Sequence, residues 1–188
     1  MSVRDEIISL NEVFKLKETY RFSRVHDRQE SSAEHSWSCL VVADYLLSFV
    51  EADIDRLRVY ELLMYHDLVE AECGDVAFFD EEARKDKSVI EQAAAKRLAK
   101  KLPSCVAEKF LSCFFEYEKA LSLEARFAHL VDGFESDAFY GLYPSKKSII
   151  SSREYDNKRL GVFESFPELK EHYHELKQLR MQEGIIDE

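Results

Sequence analysis

The sequence is poor in glycine and proline, with only five Gly and three Pro among 188 residues. Sheet proteins depend on tight turns, and tight turns use these two residues most often. Apolar residues instead recur at helical spacing along most of the chain. The sequence therefore predicts an all-α fold, and its length suits one domain with a substantial core.

The chain also lacks any Cys-x-x-Cys spacing and any apolar run of eighteen residues. The second absence disfavours a membrane-spanning helix. The near-terminal residues Arg4, Asp5 and Glu6 do not form a basic stretch before an apolar one, so we expect a cytoplasmic protein. The cysteines lie in apolar helical patterns or beside a helix end, and we expect buried free thiols at Cys39, Cys73, Cys105 and Cys113.

Positive charge is scarce as well, because 26 Lys and Arg stand against 37 Asp and Glu, which gives a net charge of −11. Non-specific nucleic-acid binding depends on Lys and Arg that neutralise phosphates, so this class of function is disfavoured. A small phosphorylated ligand remains compatible, since a metal ion and one local arginine can make a single pocket positive.

Helical periodicity and capping residues predict where the helices lie. Helices are expected at residues 2–16, from Ser31 to Val50, from Asp53 or Asp55 to about Glu72, and at residues 87–101, 104–119, 122–140, 148–164 and 168–183. Residues 37–50 are apolar on most sides, which indicates a buried helix. Gly74 suits the position just after a helix end.

Two segments between the helices are harder to assign. Residues 17–30 are polar and rich in basic side chains, and either a helix or a loop is possible there. Residues 76–86 are polar and acidic but carry Phe78 and Phe79. This second segment is the best candidate for a lid over a functional site.

His66 and Asp67 are neighbours in a stretch, residues 60–75, that otherwise has the composition of a buried helix. Burying an imidazole and a carboxylate is costly unless polar partners satisfy them, and a divalent metal would satisfy both at once. Adjacent helical residues point about 100° apart, so the two could reach one ion from two sides. Neither residue alone could complete the coordination sphere of the ion.

Two further polar residues have similar apolar surroundings. His35 lies in the first turn of the helix that Ser31 and Glu34 begin with a capping box. Asp132 is the single acid in residues 125–134. Together with the neighbouring pair they give two imidazoles and two carboxylates, a set that suits Mn, Fe, Co, Ni or Zn. The alternative is four buried polar groups that are hydrogen-bonded to unrelated neighbours.

The order His, then His-Asp, then a distant Asp resembles the HD-domain metal-dependent phosphohydrolases. The similarity is greater to the branch of 5'-deoxynucleotidases, and it runs from Leu16 to about Tyr140. The matching segments are residues 16–21, 28–36, 66–75 and 130–132. The resemblance implies one HD domain over residues 1–188, with its core at about 16–140 and C-terminal helices at 145–184 packed on it.

The resemblance also implies catalytic acids beside the metal ligands. Glu70 lies one turn after His66, on the face of the predicted helix that carries the ligands, and the resemblance gives it a role in proton handling. Asp75 resembles a second catalytic acid, although an Asp after a helix-ending Gly is also a common turn residue.

For the substrate, Arg21 is the expected phosphate ligand, because a planar guanidinium can bind two phosphate oxygens. Phe22 stands where some members of the family carry Trp, and it is an expected aromatic contact. Ser32 and Trp37 are weaker candidates for recognising the 2'-deoxyribose that the resemblance implies. Glu30 is expected either to pair with an arginine or to hold a histidine ligand in place.

Other polar residues fit structural positions better. His-x-His spacing on a helix separates two side chains by about 200°, so His172 and His174 cannot share an ion. His129 also fits a core or surface position. A solvated helix end is expected for Glu116, Tyr117 and Glu118.

These observations predict a phosphomonoesterase in which metal-activated water attacks the 5'-phosphate of a nucleoside monophosphate. Two alternatives stay open. One is a related phosphohydrolase acting on nucleoside triphosphates, phosphodiesters or a signalling nucleotide. The other is a non-catalytic helical interaction module stabilised by its metal. We expect a homodimer in either case.

Overall fold

The computed structural model describes residues 2–75, 87–142 and 150–187, and most of these are helical. The helices are α1 Val3–Ser9, α2 Asn11–Phe14, α3 Ser32–Leu47, α4 Arg56–Tyr65, α5 Glu70–Cys73, α6 Lys87–Ala99, α7 Ser104–Lys119, α8 Leu123–Leu142, α9 Ser152–Phe163 and α10 Lys170–Gln182. The strands are β1 Tyr20–Val25, β2 Arg28–Ser31, β3 Ile150–Ser151 and β4 Ile186–Asp187, and short 3-10 helices occupy Lys15–Glu18 and Pro167–Leu169. The predicted helical fold is confirmed, with two small strand pairs added.

Helix α8 lies at the centre of the fold and packs against α3, α4, α7, α9 and α10. Such a helix needs apolar side chains around much of its circumference. The residues of α8 that are at most 1% exposed are Ala125, Phe127, Ala128, Leu130 and Val131. A second group of buried apolar residues joins α6 and α7, with Leu98 and Phe110 fully buried. Asp132 is therefore a polar residue on a helix whose neighbouring residues are mostly buried apolar side chains.

The predicted caps fix where two of the central helices begin. The Ser31 hydroxyl accepts from the Glu34 amide at 3.3 Å, and the Glu34 carboxylate accepts from the Ser31 amide at 2.9 Å. This is the expected capping box of α3. The Asp55 carboxylate accepts from the Arg58 amide at 3.0 Å, so Asp55 rather than Asp53 caps α4.

Helix α4 ends earlier than the sequence predicted. It stops at Tyr65 rather than Glu72, and residues 66–69 form turns before α5 begins. The amide of Glu70 bonds to the carbonyl of Asp67 at 2.9 Å, three residues back rather than four. Gly74 then follows α5 with a φ of 78°, which a residue without a Cβ adopts at little cost. The His-Asp pair thus lies on a turn at the end of α4.

The N-terminal region differs from its predictions in two places. The expected helix over residues 2–16 is divided into α1, α2 and a 3-10 helix. The open segment 17–30 is a β-hairpin, because β1 and β2 pair antiparallel with Val25 opposite Arg28. Helix α3 is also less buried than expected, since Trp37 and Val41 are more than half exposed.

The C-terminal segment folds back onto α8. Helices α9 and α10 both pack on α8, and β3 pairs in parallel with β4 so that Ile150 lies opposite Ile186. We call this strand pair the terminal clasp, because it joins the two ends of residues 150–187. The predicted helix over 148–164 starts only at Ser152. The predicted lid, residues 76–86, lies outside the described residues.

The cysteine prediction holds for part of the set. Cys39 and Cys113 are buried, Cys73 is partly buried, and all are free thiols. Cys105 is exposed, so its predicted burial is wrong. It sits in the first turn of α7, whose buried residues begin only at Phe110. Among the described residues, no helix is long and apolar enough to cross a membrane.

Candidate metal centre

The four predicted metal ligands meet at one point although they come from three separate elements. Nε2 of His35 is 3.0 Å from an oxygen of Asp132 and 3.8 Å from an oxygen of Asp67. Nε2 of His66 is 3.3 Å from the other oxygen of Asp67. The first turn of α3, the turn after α4 and the middle of α8 therefore supply nitrogen and oxygen atoms to a common centre.

These separations fit ligand atoms around one transition-metal ion. Atoms that are each about 2.1 Å from an ion are about 3.0 to 3.4 Å apart when their bonds make octahedral to tetrahedral angles. The two shorter separations, 3.0 and 3.3 Å, fall within this range. The third, 3.8 Å, corresponds to a wider angle.

The hydrogen bonds of His66 leave one ring nitrogen without a partner. Its Nδ1 lies 2.8 Å from the Leu63 carbonyl, which can only accept, so Nδ1 carries the proton. In the neutral ring Nε2 then carries the lone pair, and it is buried with no hydrogen-bond partner. A buried polar atom of this kind is costly unless a cation binds it. The site therefore fits a divalent metal.

Glu135 holds the second histidine in the matching orientation. Nδ1 of His35 donates to the Glu135 carboxylate at 2.6 Å, and both residues are buried. A carboxylate behind a ligating histidine fixes the ring and makes it a better ligand. Nε2 of His35 lies 3.0 Å from Asp132, a separation that either a shared proton or a bound cation can bridge.

Cys39 is also close to the centre, and its sulfur lies within 4.8 Å of ligand atoms of His35, His66 and Asp132. Its sulfur lies 3.5 Å from Nε2 and 3.8 Å from Nδ1 of His35. Nearly equal distances to both nitrogens place the sulfur off the direction of the Nε2 lone pair. Burial also raises the pKa of this thiol to about 12, which favours the poorly ligating thiol form.

Arg21 lies beside the metal ligands, on strand β1. Its Nη1 donates to Asp67 at 3.2 Å, and its Nη2 donates to the Ser136 hydroxyl at 3.1 Å. Its Nε is 3.4 Å from the buried carboxylate of Glu30. Of the two roles that the sequence left open for Glu30, the structure places it against this arginine. These contacts hold the guanidinium in one orientation.

Glu70 is buried and faces the same space. The Ser32 hydroxyl donates to its carboxylate at 2.7 Å, so Ser32 holds an acid instead of facing a sugar. Burial, together with the negative charges of Asp67 and Asp75, raises the pKa of the Glu70 carboxyl well above its usual value. A carboxyl that keeps its proton can act as an acid.

A cavity of about 560 Å³ opens directly onto these groups. The predicted site residues that line it are Arg21, Phe22, His66, Asp67, Glu70, Asp75 and Asp132. Trp37, predicted as a substrate contact, is not among the lining residues and is 67% exposed on α3. His35 is fully buried behind the cavity. The structure thus brings together every predicted site residue except Trp37.

Tyr117 was assigned wrongly to a solvated helix end. It is 6% exposed, and its hydroxyl donates to Asp132 at 2.9 Å. The sequence contained a signal for this, because the buried residues of α7 recur at helical spacing: Phe110, Cys113, Phe114 and Tyr117. Glu135 carried a similar signal, since it lies three residues after Asp132 on the same helix face.

Two other histidines pack against aromatic side chains, and one of them, His129, also lines the cavity. The ring of His129 stacks on Tyr117 with centroids 3.9 Å apart. The ring of His172 packs edge-on against Phe49 and Tyr45, away from the cavity.

A family model described as an HD domain matches residues 13–148, which is well over half of the chain. The chain belongs to the HD domain family. All four candidate ligands of this HD domain lie within the matched residues.

Relatives and solved structures agree with the membership. The HD-domain chain is 30% identical over 105 residues to the 5'-deoxynucleotidase HDDC2 of Bos taurus. The aligned residues cover 56% of this chain and 50% of that relative. It is 26% identical over 113 residues to the 5'-deoxynucleotidase hdd1 of Schizosaccharomyces pombe, covering 58% and 56%. The match thus spans about half the length of these curated relatives. A predicted metal-dependent phosphohydrolase from Magnetospirillum magnetotacticum MS-1 is 27% identical, with a TM-score of 0.79 over 99% of this chain and 96% of that one.

Proposed function

We propose that this protein is a metal-dependent phosphohydrolase that removes the 5'-phosphate from nucleoside monophosphates, with 2'-deoxynucleotides preferred. The observation that supports it most is the unbonded, buried Nε2 of His66, which faces two carboxylates and a second histidine. The names of the 5'-deoxynucleotidase relatives support the choice of substrate class.

A divalent transition metal held by His35, His66, Asp67 and Asp132 would act as a Lewis acid towards a phosphate oxygen and would lower the pKa of water. Glu135 orients one of these ligands from behind, which keeps a nitrogen lone pair directed at the centre. A site with two histidines and two carboxylates suits Mn, Fe, Co, Ni or Zn.

Arg21 binds the phosphate in this proposal. Ser136 and Glu30 fix its guanidinium at the edge of the cavity, so the group is oriented before substrate arrives. An oriented guanidinium stabilises charge that develops on phosphate oxygens, and it does so without reorganisation during the reaction. Its contact with Asp67 keeps it next to the metal ligands.

Glu70 and Asp75 handle the protons. Both line the cavity beside Asp67, and Glu70 is held there by the Ser32 hydroxyl. Cleavage of a phosphomonoester needs a proton for the departing 5' oxygen and removal of one from the attacking water. A buried carboxyl with a raised pKa is suited to the first step, and the more exposed Asp75 to the second.

The opposite wall of the cavity accepts the rest of the nucleotide. Apolar side chains from the C-terminal segment line it, namely Ile150, Val162, Ile185 and Ile186, together with the ring of Tyr155. Such a surface suits a nucleobase, which has an apolar face. Three cations on the same wall each pair with an acid, and they are Lys158 with Glu154, Arg159 with Asp137, and Arg180 with Glu183.

The test is a substrate screen with metal-depleted protein. Ribo- and deoxyribonucleoside monophosphates would be assayed with Mn²⁺, Co²⁺, Ni²⁺, Fe²⁺ or Zn²⁺, and released phosphate would be measured. We expect phosphate from 5'-monophosphates, more from the deoxy forms, and none from the 3' isomers.

Other outcomes of the screen lead to different functions. Pyrophosphate released from nucleoside triphosphates, or cleavage of a phosphodiester, would replace the proposal with a related hydrolase. Metal-dependent stability without any turnover would indicate a non-catalytic module. Homodimer formation and a cytoplasmic location stay predictions from the sequence.

A further inference from the structure

The two oxygens of Asp132 have different surroundings. Oδ1 lies 3.0 Å from Nε2 of His35 and therefore faces the proposed metal position. Oδ2 accepts a hydrogen bond from the hydroxyl of Tyr117 at 2.9 Å. A phenol that donates to a carboxylate makes a strong, charge-assisted bond, which holds Oδ2 towards Tyr117.

Tyr117 is itself held in place by the helix that carries Asp132. Its ring stacks on His129, with centroids 3.9 Å apart and an interplanar angle of 23°. Nε2 of His129 bonds to the backbone carbonyl of Tyr117 at 2.9 Å. His129 lies one helical turn before Asp132 on α8, so ring and hydroxyl of Tyr117 contact the same face of that helix.

The same side chain also reaches a second ligand. The ring of Tyr117 lies 5.3 Å from the ring of His66, at an angle of 52°. Tyr117 thus packs against one ligand and bonds to another, while it lines the cavity beside them. Movement of this ring is limited on three sides by groups of the centre.

We propose that Tyr117 is a positioning residue that restricts Asp132 to binding the metal through Oδ1 alone. This inference rests on the metal centre of the proposed function. A carboxylate released from the hydroxyl could turn and offer both oxygens to the ion. Two-oxygen binding occupies an additional coordination position, and it is typical of Ca²⁺ sites.

Two consequences follow for the centre. Single-oxygen binding leaves a coordination position open for water or substrate, as catalytic metal sites require. It also favours transition metals over larger cations that accept bidentate carboxylates. Tyr117 therefore keeps one coordination position of the ion open and favours transition metals, although it does not bind the ion itself.

The test uses Tyr117→Phe, which removes the hydroxyl and keeps the ring. Metal-depleted protein is titrated with CoCl2 and separately with CaCl2 by calorimetry, and the visible spectrum of bound Co²⁺ is recorded. We expect Co²⁺ affinity to fall about tenfold or more, as for other residues that orient ligands. We also expect the preference for Co²⁺ over Ca²⁺ to narrow, and Co²⁺ absorbance to decrease because the coordination number rises.

A matched control is Tyr155→Phe. The hydroxyl of Tyr155 also donates to a carboxylate of α8 at 2.9 Å, but its acceptor is Asp137, which is not a candidate ligand. Co²⁺ affinity and spectrum should not change in this variant. Should Tyr117→Phe fail to fold by circular dichroism, His129→Ala removes the stacking ring instead and should shift the same measurements in the same direction by less.

Two results would contradict the inference separately. If the unaltered protein binds no Co²⁺, the metal centre itself is wrong and the role of Tyr117 fails with it. The second result is that the unaltered protein binds Co²⁺ and that Tyr117→Phe has the same Co²⁺ affinity, the same ratio of Co²⁺ to Ca²⁺ affinity and the same spectrum. In that case only the positioning role is wrong. Lower thermal stability without any change in these three measurements would also contradict it.

Discussion

The two walls of the cavity differ in origin and in chemistry. The wall with the candidate metal ligands comes from β1, the turn after α4, α7 and α8, all within the residues that match the HD domain model. The opposite wall comes from residues 150–187, beyond the matched range. Acids predominate on the first wall, whereas the second combines apolar side chains with Lys158, Arg159 and Arg180.

This difference suggests a division of tasks between the walls. Under the proposed function, the matched residues would supply the groups that a phosphoryl transfer needs in any substrate. The C-terminal wall would contact what remains of the ligand, and it is joined to the first wall through α8. Arg159 shows the connection, since it bonds Asp137 through two nitrogens at 2.9 Å each. Changes on the first wall should therefore alter turnover, and changes on the second should alter substrate affinity.

The largest effect is expected on the metal wall, from Asp67→Ala. The variant should lose bound metal and fall to background turnover, because two ligand oxygens and the partner of Arg21 disappear together. Metal analysis and phosphate release would measure this. Asp44→Ala, which changes an exposed acid on α3, is the control. If Asp67→Ala kept stoichiometric metal and normal turnover, the assignment of metal binding and turnover to the first wall would be wrong.

Glu70→Gln should separate chemistry from metal binding on the same wall. The amide preserves shape and can still bond to Ser32, but it cannot transfer a proton. We expect metal content to be retained and kcat to fall roughly 100-fold or more. Glu72→Gln is the matched control, since Glu72 pairs with Arg97 and Lys101 on the surface. A variant that loses its metal would indicate that Glu70 is a ligand.

Gly133→Ala tests the C-terminal wall. A Cβ at Gly133 would lie 2.5 Å from Nη1 of Arg159, so the guanidinium must move. We expect KM to rise about tenfold with kcat and metal content kept, because a displaced charged hydrogen bond costs about 1.5 kcal/mol or more. Gly161→Ala on α9 is the control, as its Cβ would meet nothing within 4 Å. A drop in kcat with KM unchanged would contradict the proposed division of tasks between the two walls.

The smallest effect is expected from Asp55→Ala, at the end of α4 farthest from the His-Asp turn. Loss of the cap should lower the free energy of unfolding by about 1 kcal/mol. Turnover and metal content should stay the same, since the cap lies outside the cavity. Urea denaturation would measure this, with Asp53→Ala as the matched control. Equal losses of unfolding free energy in both variants would contradict the role of Asp55 as the helix cap.

The metal wall was largely predictable from sequence for a local reason. His66, Asp67 and Asp132 interrupt apolar patterns, and a polar residue in such a pattern requires a partner. The capping box placed His35 in the first turn of α3. What the sequence did not indicate was the turn at residues 66–69, because Leu68 and Val69 continue the apolar pattern and no Gly or Pro stands between residues 66 and 73.

The hairpin and the second wall were missed for different reasons. The strands of the hairpin are short and charged, and its turn uses His26 at a φ of 53° where Gly or Asn is usual. The second wall depends on contacts between distant residues, such as Gly133 with Arg159. No local pattern in α9 distinguishes the side chains that face the cavity from those that face solvent.

The terminal clasp has a practical consequence for handling the protein. Ile185 and Ile186 line the cavity while Ile186 pairs with Ile150, so the backbone there belongs to the substrate wall. An affinity tag or fluorescent fusion attached directly after Asp187 would begin one residue from that wall. Helix α1, in contrast, has no buried residue. We therefore expect a fusion joined to α1 to leave the cavity unchanged, and assays of substrate choice should use it.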